Sequence, residues 1–183
     1  MKQIANLLFE ARILKDINRS GYAFLGSGKE SIAEHSFMTA LICFIMAKMD
    51  ETLDVERLVT MALVHDLAEA RTGDFNYVEK KYSAPDESKA ISHLIKHISF
   101  GKDIKNLIDE FNLCQTKEAK LANDADQISF VLELKKLSDI GTKGPEKWLP
   151  VVINRLQTDM GQKLAQSIME TSWDEWWMKD YSE

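Results

Sequence analysis

The sequence predicts an all-α fold. Glycine and proline are scarce, eight and three in 183 residues, and they fall between periodic stretches rather than inside them. Apolar residues recur at three- and four-residue spacing through most of the chain. No stretch alternates convincingly with the period of two expected of a strand.

The elements follow in order. Residues 2–17 place Ile4, Leu7, Leu8, Ala11 and Leu14 at helical spacing. Residues 18–31 hold three glycines and read as a loop. Residues 32–49 form a strongly apolar helix. Asp54 is an N-cap for the next helix, which carries Leu58, Met61, Ala62 and His65 on one face. Residues 71–77 break the pattern, and 78–82 add a helical turn. Ser83-Ala84-Pro85-Asp86 signals a helix over about 86–98. Gly101 separates it from a helix over 102–112, and a long helix runs from Lys117 to Ile140. Gly141, Gly144 and Pro145 form a turn. Pro150 marks the first residue of a new helix or a kink, with 151–171 helical. Ser172 to Glu175 has the spacing of a capping box and opens a short terminal helix. The expected architecture is a single domain over residues 1–183, a bundle of about six to eight helices.

Composition narrows the function. A net charge of −6 argues against tracking a nucleic-acid polymer, which needs a basic surface. It leaves room for a nucleotide held in a local pocket. Cys43 and Cys114 are the two cysteines and form no CxxC. A reduced, cytoplasmic chain fits, with both thiols as small hydrophobes. The amphipathic N-terminus carries Glu10 and Asp16, unlike a signal peptide. The longest apolar run, Phe37 to Met49, falls short of the ~18 residues of a membrane span and reads as a core helix.

The chemistry concentrates in Ala62-Leu-Val-His65-Asp66-Leu-Ala-Glu69-Ala-Arg71-Thr-Gly-Asp74. A helix enters a core and ends in a polar cluster. Adjacent His and Asp at the end of a buried helix are costly unless paired or bound to a metal. Glu69 lies four residues after His65 and three after Asp66, so all three can address one site. His35 heads the apolar helix, and Asp124 and Asp126 enter the long one just before its apolar run. Two imidazoles and two carboxylates suit a borderline divalent ion, whereas a site for Mg alone would be mostly oxygen. The bland reading is a structural His–Asp pair.

The order His35, His65-Asp66 and a distal Asp resembles the H…HD…D signature of the HD-domain phosphohydrolase superfamily. Glu30-Ser-Ile-Ala-Glu34-His35-Ser36 and His65-Asp66-Leu-Ala-Glu69-Ala-Arg-Thr72-Gly73-Asp74 are similar to two extended segments of its 5′-deoxynucleotidase branch. The resemblance covers about residues 5 to 175. It implies His35, His65, Asp66 and Asp126 as ligands of one divalent ion, which could be Mn, Co, Fe, Ni, Zn or Mg. Asp126 fits the register of the fourth ligand better than Asp124. The resemblance further implies proton transfer by Glu69, a second acid near the substrate at Asp74, and phosphate contact by Arg19. Lys29 is a further candidate for neutralising the phosphate. The implied activity is removal of the 5′-phosphate from deoxyribonucleoside monophosphates by a homodimer; the lengths of the apolar runs separately predict no membrane partner. The chain departs from the pattern it resembles at Phe24–Lys29, where members of that branch often carry a basic segment.

Several bland readings stand beside these. Glu69 could support a ligand through a hydrogen bond. Asp74 could be an N-cap. His93 and His97 have the i, i+4 spacing of a metal clamp but no acidic companion, and read as surface histidines. Trp148, Trp173, Trp176 and Trp177 read as packing for the terminal helix or a dimer contact. The alternatives to a nucleotidase are an HD-type hydrolase of triphosphates or signalling nucleotides, and a non-catalytic helical binding protein with a vestigial metal site.

Overall fold

The computed structural model describes residues 1–179. Helices make up the framework: α1 Lys2–Arg12, α2 Tyr22–Leu25, α3 Ile32–Met49, α4 Val55–Val64, α5 Glu69–Thr72, α6 Glu87–Ile95, α7 Gly101–Leu113, α8 Lys117–Asp139, α9 Pro145–Ile153, α10 Asp159–Glu170 and α11 Glu175–Met178. Among the described residues no strand forms; extended chain pairs only as an isolated bridge between Asn18 and Ser31.

Caps start the helices where short polar side chains stand. Asp54, Asp86, Thr116 and Thr158 each accept a backbone N–H from the first turn of α4, α6, α8 and α10. α8 is the axle of the bundle and packs against α3, α4, α7, α9 and α10. Its Ile128, Val131 and Leu134 are fully buried. α4 buries Leu58, Met61 and Ala62, the face read from its spacing. Full burial of each larger side chain stabilises by about 1.5–3 kcal/mol. α3 is apolar on every side. It buries Ile42, Cys43, Met46 and Ala47 and leaves Phe37, Leu41, Phe44 and Ile45 exposed.

Several expectations are corrected. The first helix ends at Arg12 and tightens into a 3₁₀ turn over Ile13–Lys15. The 18–31 loop contains the short α2. Pro145 is the first residue of α9 rather than part of a turn, and Pro150 lies inside that helix. The helix expected over 151–171 is split, because buried Asp124 on α8 binds the chain between α9 and α10. Its Oδ1 accepts Gln157 N–H at 2.8 Å. Its Oδ2 accepts Thr158 N–H at 2.9 Å and the Thr158 hydroxyl at 2.6 Å. Gly161 lets α10 come this close, since a β-carbon there would sit 2.3 Å from Asp124 Oδ2. No capping box forms at residue 172; the Ser172 hydroxyl instead donates to Asp174 Oδ1. At 18 residues, α3 is also long and apolar enough to meet a membrane-span criterion by length and composition, so the apolar run extends beyond the Phe37–Met49 segment.

Candidate metal centre

α3 delivers His35 to the interior. Ser31 and Glu34 form a reciprocal cap: Ser31 Oγ accepts Glu34 N–H at 3.2 Å, and Glu34 Oε2 accepts Ser31 N–H at 2.6 Å. That fixes the helix start four residues before His35, which is fully buried. Its Nδ1 lies 3.2 Å from Ser129 Oγ on α8. Its Nε2 lies 2.8 Å from Asp126 Oδ1 and 3.8 Å from Asp66 Oδ2.

α4 ends at Val64, and His65 turns inward at its C-terminus. His65 Nδ1–H donates to the Ala62 carbonyl at 2.6 Å. That carbonyl can only accept, so Nδ1 carries a hydrogen and Nε2 is the nitrogen turned toward the cluster. It faces Asp66 Oδ2 at 3.1 Å. Neither His35 Nε2 nor His65 Nε2 makes a well-aligned hydrogen bond, although both atoms are buried. One ligand atom from each of His35, His65 and Asp126 lies within 4.8 Å of the others. Buried imidazole nitrogens and carboxylate oxygens turned toward one another need a shared positive charge, which a proton or a metal ion can supply.

The two imidazoles shift in opposite directions. Burial opposes a charge on His65, yet Asp66, Asp126 and the Ala62 carbonyl raise it to about 9. Burial and Arg19 lower His35. Asp126 is held below the carboxylate range against its burial, by His35 and Arg19. Asp66 is lowered too, chiefly by His65. Asp66 and Asp126 therefore stay ionised beside the two buried imidazoles, and these N and O donors suit a divalent ion.

Asp126 is held in aim. Its Oδ2 accepts the Gln127 amide at 2.7 Å, which leaves Oδ1 toward His35. Asp124, two residues earlier, spends both oxygens on the α9–α10 connection. The helix thus separates a structural carboxylate from one directed into the cluster.

Arg19 stands beside the cluster. Its Nη1 is 3.8 Å from Asp126 Oδ1, and its guanidinium lies 5.7 Å from the Phe130 ring centre. Burial disfavours its charge, but Asp126, Asp66, Glu30 and Asp74 more than offset that. Arg19 Nη1 is buried without a hydrogen-bond partner. Asp74 does not cap a helix: its Oδ2 accepts Ser20 N–H at 2.6 Å and the Ser20 hydroxyl at 3.0 Å, tying down the loop that carries Arg19. Glu69 opens α5, and burial together with Asp66 and Asp74 pushes its carboxyl up to about 9.

A cavity of about 370 Å³ opens onto this edge, lined by Arg19, Asp74, Tyr77, Asp126, Phe130 and Trp148 among others. The volume suits a small organic ligand, and the wall is aromatic on one side. Trp148 packs as expected, against the core beside Val131 and Leu149 and edge-on to Phe130 at 5.8 Å, and it also lines this cavity. Trp173 and Trp176 line an apolar recess with Leu164 and Ile168, close to expectation. Lys29 is not brought here; it lines a separate recess with Lys15 and Lys136. His93 and His97 are exposed, as expected of surface histidines. Sequence reasoning missed Ser129, Gln127 and Glu30. Ser129, one turn after Asp126, carried a faint signal in that spacing.

A model of the HD domain matches residues 11–169, a span that holds His35, His65, Asp66 and Asp126. The chain belongs to the HD-domain family. Within it, the 5′-deoxynucleotidase HDDC2 of Dictyostelium discoideum is 31% identical over 134 residues, covering 66% of this chain and 70% of that protein. The mouse protein of the same name is 28% identical over 137 residues, covering 71% of this chain and 67% of its own length. Among solved structures, PH0347 of Pyrococcus horikoshii superposes with a TM-score of 0.74 at 28% identity, covering 90% of this chain and 97% of that one. The "predicted metal-dependent phosphohydrolase" of Magnetospirillum magnetotacticum shares the HD-domain fold, with a TM-score of 0.68 at 23% identity over 92% of this chain and 93% of that one.

Proposed function

We propose that this HD-domain protein removes the 5′-phosphate from deoxyribonucleoside monophosphates with the help of one divalent ion. The observation that carries the reading is the convergence of His35 Nε2, His65 Nε2 and Asp126 Oδ1 beside a cavity that also presents Arg19. The names of its relatives supply the substrate class. Asp66, 3.1 Å from His65 Nε2, completes the ligand set.

When bound, the ion supplies Lewis acidity toward the phosphoryl group and eases ionisation of the attacking water. The protein's own groups do the rest. Arg19 Nη1 donates to a phosphate oxygen and holds it near the cluster. Glu69 has its carboxyl raised by burial and by Asp66 and Asp74, so it can carry a proton toward the leaving oxygen. Asp74 keeps Ser20, and with it the Arg19 loop, in place. Phe130, Trp148 and Tyr77 offer apolar faces to the sugar and base. The homodimer expected from the resemblance has a candidate face in the exposed Phe37, Leu41, Phe44 and Ile45 of α3, and light scattering reads its mass directly.

The test is phosphate release from ribo- and deoxyribonucleoside 5′-monophosphates and the matching triphosphates by chelated protein given Mn, Co, Mg or Zn in turn. Metal-dependent release confined to the deoxy compounds supports the reading. Release from triphosphates alone would replace the substrate class, and no release with any ion would point to a binding protein.

A further inference from the structure

Glu30 is buried, only 5% exposed, and takes no part in the chemistry above. Its Oε2 accepts the Tyr22 hydroxyl at 3.2 Å and lies 3.9 Å from Arg19 Nε. Burial, with Glu133 and Glu34 nearby, pushes its carboxyl up to about 7, against the pull of Arg19 and Tyr22. Placing a carboxylate there is costly.

Local structure does not require that side chain. The cap of α3 is made by Ser31 and Glu34. The pairing of the two chain segments is made by backbone: Arg19 N–H donates to Glu30 O at 2.9 Å, and Ile32 N–H to Ile17 O at 3.0 Å. What the Glu30 carboxylate faces is the guanidinium. Arg19 hangs between two carboxylates, with Nε 3.9 Å from Glu30 and Nη1 3.8 Å from Asp126. Neither contact is at hydrogen-bond distance. Without Glu30, the guanidinium's nearest attraction is Asp126. Closing on it would spend the free Nη1 donor on a carboxylate needed by the cluster.

We propose that Glu30, backed by Tyr22, is a positioning residue that holds Arg19 away from Asp126 and keeps its Nη1 available for a phosphate oxygen. The proposal deepens the nucleotidase reading and rests on it for the identity of the anion.

The experiment compares wild type, Glu30→Gln, Tyr22→Phe, Arg19→Ala and the Glu30→Gln/Arg19→Ala double variant, all loaded with the same metal. Glutamine keeps the volume and an acceptor for Tyr22. Two readouts are taken: kcat and KM on a deoxynucleoside 5′-monophosphate, and affinity for inorganic phosphate by calorimetry. Glu30→Gln is expected to raise KM and weaken phosphate binding on the order of 10-fold, the scale of one charge-assisted contact, with kcat changed far less. Tyr22→Phe should move both in the same direction by a smaller factor, which covers the case of a Gln variant that folds poorly. In the Arg19→Ala background, Glu30→Gln should have no further effect. Unchanged phosphate affinity in both Glu30→Gln and Tyr22→Phe, or an equal loss with and without Arg19, overturns the proposal. Phosphate titration reads the Glu30–Arg19 coupling without turnover. A wild type that binds phosphate with this coupling but cleaves no monophosphate would therefore sink the nucleotidase reading alone.

Discussion

Asp124 and Asp126 stand two residues apart on α8 and face opposite tasks. Asp126 Oδ1 lies 2.8 Å from His35 Nε2. Asp124 accepts two backbone N–H groups and a hydroxyl from Gln157 and Thr158, at 2.6 to 2.9 Å. Two residues along a helix turn the side chain by roughly 200°, so one aspartate meets the cluster and the other the α9–α10 connection.

Alanine at the two positions should separate stability from metal binding. Asp126→Ala is expected to fold, lose the ion and lose turnover. Asp124→Ala should keep the ion in its folded fraction and lose on the order of 3 kcal/mol of stability, the scale of several hydrogen bonds to one buried carboxylate. Metal content by mass spectrometry and urea denaturation check the pair. Loss of metal from folded Asp124→Ala would reverse the assignment.

Ser129 touches His35 Nδ1 and no reacting atom. Ser129→Ala frees the ring to rotate and should weaken metal affinity about 10- to 100-fold, as removal of a ligand's outer hydrogen bond does. Competition with a chromophoric chelator measures it. Affinity within a factor of about two of wild type would mean that packing alone orients His35.

Glu69→Gln keeps the shape of the carboxyl and removes its proton chemistry. It should retain a full complement of metal while turnover drops about 10²- to 10⁴-fold, the range for a lost general acid or base. A variant with wild-type turnover would demote Glu69 to support of the ligands.

The grouping of His35, His65-Asp66 and Asp126 was legible before the structure, from their order and its resemblance to the HD signature. These are also residue types whose burial is expensive without a partner, so their spacing within apolar helices carries information. Asp126 over Asp124 was legible only from register; the physical reason came from Gln157 and Thr158, more than thirty residues away. The same contact breaks the helix expected over 151–171. The contacts of Ser129 and Glu30 were not legible, although Ser129 stood one turn after Asp126 and Glu30 opened a recognised segment. A serine or glutamate beside apolar residues reads as an exposed polar position until the facing helix or loop is known. Lys29 was misplaced because the path of the 18–31 loop, with α2 inside it, decides which recess a side chain enters.

Glu30 also makes a prediction about pH. Its carboxyl rises from the ordinary 4.5 to about 7 in the folded protein. The folded state therefore holds this proton more tightly than the unfolded chain. The stability this brings is present below about pH 4.5 and is lost as pH rises through about 7. Glutamine escapes that loss. Relative to wild type, Glu30→Gln should gain on the order of 1–3 kcal/mol at pH 8, with the gain shrinking toward pH 5. Urea denaturation at the two pH values decides it; a relative gain larger at pH 5 than at pH 8 would contradict the burial cost assigned here. A variant more stable than wild type yet weaker for phosphate would mark Glu30 as held for function.

The central claim is that one divalent ion, held by His35, His65, Asp66 and Asp126, makes this HD-domain protein a phosphohydrolase. The most direct test titrates metal into chelated protein while following bound metal and phosphate release from a deoxynucleoside monophosphate in the same samples. Activity rising with bound metal and levelling at one ion per chain is the predicted result. Full activity in the metal-free protein, or metal bound at one per chain by wild type and Asp126→Ala alike, would contradict it.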